Sequence, residues 1–194
     1  MNYKIAITGH TRGIGQAIFK TFKNHGHDIL GFSSSQGYNI GKPEVRRSIL
    51  EQCKDFDIFI NNAYDPDGQT ELLKMFIENW DGLNKMIINI SSKLVFYPGP
   101  TNAFFDRYII DKKEQNLICS KRTYTDNPKI LNIMPGLVDT EMSKIFSAPK
   151  ISCDALANYL YDIVKYKDIV STQQIIVDVP RLNWADVKIQ NFEK

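Results

Sequence analysis

Short apolar runs rich in isoleucine alternate with longer segments of helical period along the chain, and this alternation constrains the fold more than any other feature. The runs predicted as strands are 3–8, 27–32, 57–60, 85–90, 129–134 and 174–179. The segments predicted as helices are 13–24, 43–53, 69–80, 104–121 and 152–164. Apolar strands separated by helices predict a parallel sheet covered on both faces, a doubly wound α/β domain.

Length and composition predict one soluble domain over residues 1–194. The chain has 194 residues, of which 43% are hydrophobic and 24% charged, with a net charge of +2. This balance is typical of a globular protein and gives no reason to expect nucleic acid as a partner. No apolar run approaches the roughly 20 residues that cross a bilayer, so we expect no membrane association and a cytoplasmic location.

Cysteine and histidine spacing does not indicate a metal site or a disulfide framework. Cys53, Cys119 and Cys153 are far apart, with no CxxC pair and no adjacent pair of histidines that could complete a zinc site. His25 and His27 flank Gly26, a pattern typical of a helix C-terminus. We therefore predict reduced structural thiols and no metal.

A glycine-rich turn, "TGHTRGIGQAI", follows the first predicted strand directly. Gly9, Gly13 and Gly15 would allow a tight turn and a close approach of the backbone to a pyrophosphate. The free N–H groups of the helix that follows would then stabilise the anion. The alternative is a glycine-rich turn that only packs tightly. Its place between strand and helix favours a Rossmann-type nucleotide site.

Five motifs resemble those of the short-chain dehydrogenase/reductase family and occur in that family's order. They are "TGHTRGIG" (8–15), "NNAY" (61–64), "INISS" (88–92), "YIIDK" (108–112) and "MPGLVDT" (134–140). The resemblance implies a Rossmann-type single domain and an oxidoreductase that transfers hydride between a nicotinamide cofactor and a small carbonyl or alcohol. It also implies a homodimer or homotetramer.

The residues after the second predicted strand favour NADP(H) over NAD(H). The sequence reads "GFSSSQGYNI", without the Asp or Glu that would hold a ribose 2′-hydroxyl; Ser33 and Ser34 stand there instead. The resemblance places Arg12 where NADP-dependent members carry a basic residue, and a guanidinium suits a phosphate dianion. The alternative for Arg12 is a solvated surface charge.

The resemblance assigns further contacts with the cofactor. Asn39 and Ile40 would flank adenine, Asn62 would lie on the ribose side and Val138 would meet the nicotinamide amide. The cofactor-binding residues that it implies are Gly9, His10, Thr11, Arg12, Gly13, Ile14, Gly15, Ser33, Ser34, Asn39, Ile40, Asn62, Ala63, Tyr108, Lys112, Pro135, Val138 and Thr140.

Tyr108 and Lys112 are four positions apart and share one face of a predicted helix. On an exposed helix they would be two ordinary surface residues. As a pair in the family's motif, Tyr108 would be the general acid/base, while the lysine cation would favour phenolate and bind the nicotinamide ribose. Ser92 would polarise the substrate oxygen; Ser91 is the alternative, but the two side chains face opposite sides of a strand.

The chain departs from the family's pattern at four places. A helix between the second strand and Asn39 is missing, and the stretch between "NNAY" and "INISS" is short. The asparagine that completes a proton relay cannot be placed, since neither Asn79 nor Asn84 has the expected spacing. Tyr64 replaces the last glycine of NNAG. These departures leave open an NADP(H)-binding sensor or scaffold without turnover and, more weakly, a relative of nucleotide-sugar epimerases.

The segment 137–150 would form a short lid over the substrate. An apolar pocket could be lined by Phe96, Tyr97, Phe104, Phe105, Leu137, Met142 and Phe146. Aromatic residues in such places are more often core or interface, and we keep that alternative.

Overall fold

The computed structural model describes residues 2–96, 103–122, 127–180 and 188–189. The strands are β1 Lys4–Thr8, β2 Asp28–Phe32, β3 Ile58–Asn61, β4 Met86–Ile90, β5 Lys129–Pro135, β6 Phe146–Ser147, β7 Gln174–Val177 and β8 Lys188–Ile189. The helices are α1 Gly13–Asn24, α2 Pro43–Gln52, α3 Gly68–Asn79, α4 Ala103–Ser120 and α5 Cys153–Lys165. The six predicted strands and five predicted helices are confirmed; the short antiparallel pair of β6 and β8 was not predicted.

The main sheet has six strands in the order β2-β1-β3-β4-β5-β7, and every neighbouring pair is parallel. This confirms the doubly wound α/β prediction. In the usual 3-2-1-4-5-6 order a further strand lies beyond the second, whereas β2 is an edge here within the described part of the chain. Only a 3₁₀ turn, Ser34–Gln36, separates β2 from the loop that leads to α2. The predicted loss of a helix at this place is confirmed.

Each face of the sheet packs against its own helices because strand side chains alternate between the faces. Ile5 and Ile7 of β1 join the core under α1 and α5, whereas Ala6 joins the core under α2 and α3. The first core includes Phe22 and Leu160, and the second includes Phe76. The carboxyl ends of the parallel strands therefore form one common edge between two helical layers.

Three asparagines form a ladder across the centre of the sheet. Asn61, Asn89 and Asn132 occupy matched positions of β3, β4 and β5 and are all fully buried. Asn61 Nδ2 donates to Asn89 Oδ1 over 3.1 Å, and Asn89 Nδ2 donates to Asn132 Oδ1 over 2.9 Å. Asn89 Nδ2 also lies 3.3 Å from Gln115 Oε1 of α4. The ladder thus joins buried amides of the sheet to one another and to α4, whereas Asn61 Oδ1 has no hydrogen-bond partner among the described residues.

Helix α4 turns polar side chains inward and apolar ones outward. Asp111, Lys112 and Gln115 are almost completely buried, while Ile110 and Leu117 are more than half exposed. A helix of a soluble protein normally has the opposite arrangement. The middle of α4 therefore faces the polar layer, whereas Phe105 and Cys119 near its ends are buried in apolar clusters.

No helix within residues 2–96, 103–122 and 127–180 is long and apolar enough to cross a membrane. Cys53 and Cys119 are buried free thiols, and Cys153 is also unpaired. The described residues contain no cluster of His, Cys, Asp and Glu that could hold a metal ion. Gly26 has a φ of +81° just beyond α1, as its predicted place at a helix C-terminus requires.

Replacing Asn89 with Ala is expected to lower the free energy of unfolding by about 2–4 kcal/mol, because buried amide partners on both neighbouring strands lose their hydrogen bonds. Urea denaturation measures the change. The control is Asn84→Ala, an exposed site, where the change should stay within about 0.5 kcal/mol. Equal effects of the two substitutions would show that the ladder does not stabilise the sheet.

Candidate functional site

The glycine turn joins β1 to α1 at the carboxyl edge of the sheet. Gly9 has a φ of +74° and Gly13 a φ of +54°, conformations that favour glycine. The Gly9 N–H donates to the Phe32 carbonyl oxygen of β2 over 2.7 Å. Helix α1 then begins at Gly13 with no side-chain cap and no acidic residue in its first turn. Its N-terminal N–H groups are therefore oriented to meet an anion.

Close packing favours glycine at positions 13 and 15 of this turn. A Cβ on Gly15 would lie 2.2 Å from the Gly9 carbonyl oxygen, and one on Gly13 would lie 3.3 Å from Thr140 Cγ2. Thr140, in the loop after β5, therefore borders the turn on the side away from β2. The predicted glycines and Thr140 are brought together as the motifs required.

The "NNAY" segment is tied to the end of β1. Asn62 Nδ2 donates to the Thr8 carbonyl oxygen over 2.9 Å, and the Asn62 and Ala63 N–H groups donate to Thr8 Oγ1 over 3.1 and 3.0 Å. Asn62 therefore supports the glycine turn from the β3 side. Because β1 lies between β2 and β3, the glycine turn is at the point where the strand order reverses, the usual ligand crevice of open α/β sheets.

The residues predicted to select the nucleotide lie at the neighbouring strand ends. Thr11 and Arg12 are exposed at the start of α1, and Ser34 is exposed just after β2. Ser33 is buried, and its hydroxyl is hydrogen-bonded to Ser35 Oγ over 2.8 Å. Of the two predicted serines, Ser34 is thus the one with an exposed side chain.

His10 lies at the centre of the glycine turn but turns toward β2. A Cβ on Gly31 would lie 2.2 Å from the His10 ring, so Gly31 makes space for it. The ring packs 5.1 Å from Phe19, and its Nδ1 is buried without a hydrogen-bond partner. His10 therefore packs the turn against the edge strand.

Three other predicted cofactor residues have buried side chains. The Ile40 side chain is 4% exposed in the core under α2, and its carbonyl oxygen accepts a hydrogen bond from Arg46 over 2.7 Å. Val138 and Pro135 are also buried, whereas Ile14 is partly buried against the same core as Val138. Asn39 is exposed, with its side-chain oxygen 2.9 Å from the Gly41 N–H. Among these, Asn39 alone has a side chain exposed enough to meet a ligand directly.

Ser92 and Tyr108 come together at the same edge of the sheet. A hydrogen bond from Ser92 reaches the Tyr108 hydroxyl and lowers the pKa of the phenol, although burial, the stronger effect, raises that pKa to about 12. Ser91 instead points away and donates to Asn116 Oδ1 over 2.6 Å. Both serines therefore contact α4, Ser91 at Asn116 and Ser92 at Tyr108, and Ser92 is the one beside the phenol.

Lys112 is buried beneath Tyr108. Its Nζ lies 5.4 Å from the centroid of the Tyr108 ring. The residue as a whole is only 2% exposed. The amine donates to Gln69 Oε1 over 2.6 Å, to the Ile90 carbonyl oxygen over 2.7 Å and to Gln115 Oε1 over 3.4 Å. Burial lowers the pKa of Lys112 to about 7, and the nearby Asp111 carboxylate opposes this shift.

Burial raises the pKa of the Tyr108 phenol, so its hydroxyl is protonated at neutral pH. That the lysine cation favours the phenolate during a reaction stays a prediction. The same burial brings the Lys112 amine close to its midpoint of protonation. The site as described therefore contains a protonated phenol, which can donate a proton to a substrate oxygen.

Gln69 is the residue that the sequence reasoning missed. Asn79 lies at the end of α3 with its side chain bonded to the Met75 carbonyl oxygen, and Asn84 precedes β4 at the opposite edge of the sheet. Gln69 contacts Lys112 directly. A signal was present, because Gln69 is a polar residue with a long side chain on the buried face of α3, which it shares with Leu72, Leu73 and Phe76.

Tyr64 covers Tyr108 and Lys112 from the β3 side. Its ring lies 4.8 Å from the Tyr108 ring at 72°, and its centroid is 5.7 Å from Lys112 Nζ. The Tyr64 hydroxyl donates to Asp111 Oδ2 over 2.9 Å, and Arg107 Nε lies 3.0 Å from the other oxygen of Asp111. Tyr64, which stands where the motif has glycine, is therefore fixed by its hydrogen bond to Asp111.

The residues predicted to line an apolar pocket fall into a buried group and an exposed group. Phe105, Leu137 and Phe146 form a buried cluster with Leu94, and Tyr108 packs against it. These three residues belong to a core, as the alternative interpretation held. The exposed members of the predicted set are Phe96, Phe104 and Met142. Tyr97 lies outside the described residues.

Neither a scan against protein-family models nor a search of curated proteins finds a match. Solved structures do match. A short-chain dehydrogenase from Burkholderia cenocepacia in complex with NADP has a TM-score of 0.69 and 16% identity, with 92% of this chain and 89% of that chain covered. A 3-ketoacyl-(acyl-carrier-protein) reductase from Brucella melitensis complexed with NADH has a TM-score of 0.73 and 16% identity, with 91% and 96% covered.

An alcohol dehydrogenase from the archaeon Thermococcus sibiricus, complexed with 5-hydroxy-NADP, has a TM-score of 0.64 and 15% identity, with 91% of this chain and 96% of that chain covered. At these identities the similarity defines the fold. The chain has the fold of short-chain dehydrogenases/reductases, as its motifs predicted.

The low pKa of Lys112 predicts how stability depends on pH. The pKa is about 7 in the folded protein and about 10.4 when unfolded, so the unfolded chain binds more protons between these values. The free energy of unfolding of the wild type, minus that of Lys112→Met, should therefore rise from pH 7 to pH 9. Urea denaturation at several pH values measures this difference. Lys113→Met, at an exposed site, is the control; a pH-independent difference for Lys112→Met would contradict the prediction.

Proposed function

We propose that this protein is an NADP(H)-dependent oxidoreductase of the short-chain dehydrogenase/reductase family, with Tyr108 as the general acid/base for a carbonyl or alcohol substrate. The observation that carries the proposal is the meeting of Ser92, Tyr108 and Lys112 at the carboxyl edge of the sheet. The glycine turn ends at this same edge. A turn suited to bind a nucleotide and a proton donor, Tyr108, thus lie at one edge of the sheet.

The turn fits a dinucleotide because it combines positive-φ glycines, a space that a Cβ would fill and an uncapped helix N-terminus. Gly9, Gly13 and the N–H groups that open α1 would hold the pyrophosphate, with Thr140 on its other side. Arg12 and Ser34 would bind the 2′-phosphate. Asn39 would meet adenine, and the Val138 backbone would meet the nicotinamide amide.

When bound, the nicotinamide supplies or accepts the hydride. Tyr108 gives its proton to the carbonyl oxygen during reduction, which suits a phenol that is protonated at neutral pH. The Ser92 hydroxyl donates a hydrogen bond to the same oxygen and stabilises the charge that develops there. A protonated Lys112 stabilises the phenolate that Tyr108 becomes.

The preference for NADP(H) rests on this chain's own charges, since the structures with the same fold are complexed with either nucleotide. No acidic side chain follows β2, where one would repel a 2′-phosphate. Gly9 is hydrogen-bonded to Phe32, the residue just before Ser33, so the start of α1 and the end of β2 are neighbours. Arg12 provides the positive charge at that junction.

Replacing Arg12 with Ala should weaken NADPH binding about 10–100-fold, the loss expected for a charge-assisted hydrogen bond. Binding of NADH should change less than about threefold, because NADH has no 2′-phosphate to lose a partner. Fluorescence titration with both nucleotides measures the two affinities. Lys20→Ala removes an exposed cation of the same helix and should leave both unchanged. An unaltered NADPH affinity in Arg12→Ala would refute the assignment.

Replacing Tyr108 with Phe should lower kcat for carbonyl reduction by about 10²–10⁴-fold while NADPH still binds, because the proton donor is lost. A panel of aldehydes and ketones with NADPH, followed by absorbance, measures the rates. Tyr159→Phe, on the outer side of α5, is the matched control. Activity of Tyr108→Phe equal to that of the wild type would overturn the catalytic role.

A second candidate is an NADP(H)-binding sensor or scaffold. Two observations favour this candidate. The Lys112 amine donates to three acceptors of the protein, and the Tyr64 ring covers the amine. A sensor would bind NADPH yet reduce no member of the panel. In either case we expect a homodimer or homotetramer, because α4 exposes Phe104, Ile110 and Leu117.

A further inference from the structure

We propose that Gln69 is the positioning residue for Lys112, replacing the asparagine that this chain lacks: its carboxamide oxygen fixes the lysine amine below Tyr108 by direct contact. The inference rests on the proposed function and deepens it. Of the three acceptors around the amine, Gln69 Oε1 is the closest, at 2.6 Å. Gln69 itself is 0% exposed, so no solvent competes for the contact.

The orientation of the Gln69 amide follows from its surroundings. Its Nε2 lies 2.8 Å from the Asn61 carbonyl oxygen and 3.2 Å from the Ile90 carbonyl oxygen. Carbonyl oxygens can only accept hydrogen bonds, so the NH₂ group must face them and the amide oxygen must face Lys112. The reverse orientation would place an NH₂ donor against the lysine amine.

The backbone holds Gln69 in place as well. Its carbonyl oxygen accepts a hydrogen bond from Asn61 Nδ2 over 3.0 Å, which ties the start of α3 to the end of β3. Asn61 belongs to the asparagine ladder and is itself fixed by Asn89. Asn61 therefore fixes the backbone of Gln69 to the sheet, and the Gln69 side chain in turn fixes the Lys112 amine.

An amide suits this position better than a carboxylate. Glutamate would turn an oxygen toward the carbonyl groups of Asn61 and Ile90, where only donors fit. It would also add a negative charge beside the amine and favour the ammonium form. Glutamine accepts a hydrogen bond from the amine without adding a charge beside it.

The titratable groups that face Lys112 are few. They are Tyr64 from the segment after β3, and Tyr108, Asp111 and Cys119 of α4. The groups that α3 and β4 present to the amine are the Gln69 amide and the Ile90 carbonyl. Substitutions at position 69 should therefore act on Lys112 without passing through another ionisable residue.

The test compares Gln69→Met with Gln115→Met. Both remove a buried glutamine, but Gln115 lies 3.4 Å from the amine and its Nε2 donates to Thr70 instead. Gln69→Met should lower kcat on the order of 10²-fold through misplacement of the amine. NADPH affinity should change little. Gln115→Met should lower kcat about tenfold less than Gln69→Met does, because it removes the longest of the three contacts with the amine.

A second readout needs no turnover. The protonation of Lys112 can be followed by NMR titration of carbon-13 at lysine Cε, with Lys112→Met identifying the signal. Gln69→Met should lower the pKa of Lys112 further, because an acceptor that favours the ammonium is lost. Gln69→Glu should raise it. Should Gln69→Met fail to fold, the Glu variant decides the question by the same measurement.

The outcomes separate this inference from the proposed function. If Gln69→Met or Gln69→Glu leaves the Lys112 titration as in the wild type, Gln69 does not position the amine, even where Tyr108→Phe is inactive. If Gln69→Met and Gln115→Met lower kcat equally, the role of Gln69 is only structural and the inference fails. If Tyr108→Phe remains fully active, the catalytic proposal fails, while the NMR titration still tests the contact.

Discussion

The burial of the Lys112 amine is the constraint on which the arrangement of this edge of the sheet depends. Removing a charged group from water costs several kcal/mol unless hydrogen bonds offset the loss. The acceptors come from three different elements: Gln69 from α3, Ile90 from the end of β4 and Gln115 from α4. Each element must keep its position for the amine to stay satisfied. Tyr108, one turn earlier on α4, lies over the buried amine, with the centroid of its ring 5.4 Å from Lys112 Nζ.

The polar layer between the sheet and α4 extends this requirement across the core. Asn61, Asn89 and Asn132 lie side by side because their strands are in matched register. A slip of one residue would put an isoleucine where an amide is needed and would expose the amide to the opposite, apolar core. Helix α4 consequently turns Asp111, Lys112 and Gln115 inward. The register of the strands and the positions of these side chains are thus specified together.

The sheet ends at β2 on one side. No strand within the described residues pairs with the outer edge of β2, yet the turn after β1 keeps its close contacts with the end of β3. Gly9, Gly15 and Asn62 pack there so closely that a single Cβ would collide with backbone. The departures from the pattern that the motifs resemble lie on both sides of this turn. Only a 3₁₀ turn follows β2, and after β3 Tyr64 replaces a glycine and is held by Asp111.

The sequence alone determined the fold class and the strands and helices of the main sheet, because these depend on local periodicity. The meeting of Ser92 with Tyr108 was implied by the resemblance of their motifs to those of a known family. The tertiary structure alone decided that burial raises the pKa of Tyr108 and that Ile40 and Phe105 are core residues. It also decided that Gln69, rather than Asn79 or Asn84, reaches Lys112. Desolvation and contacts between distant segments depend on how the elements pack, which no spacing along the chain records.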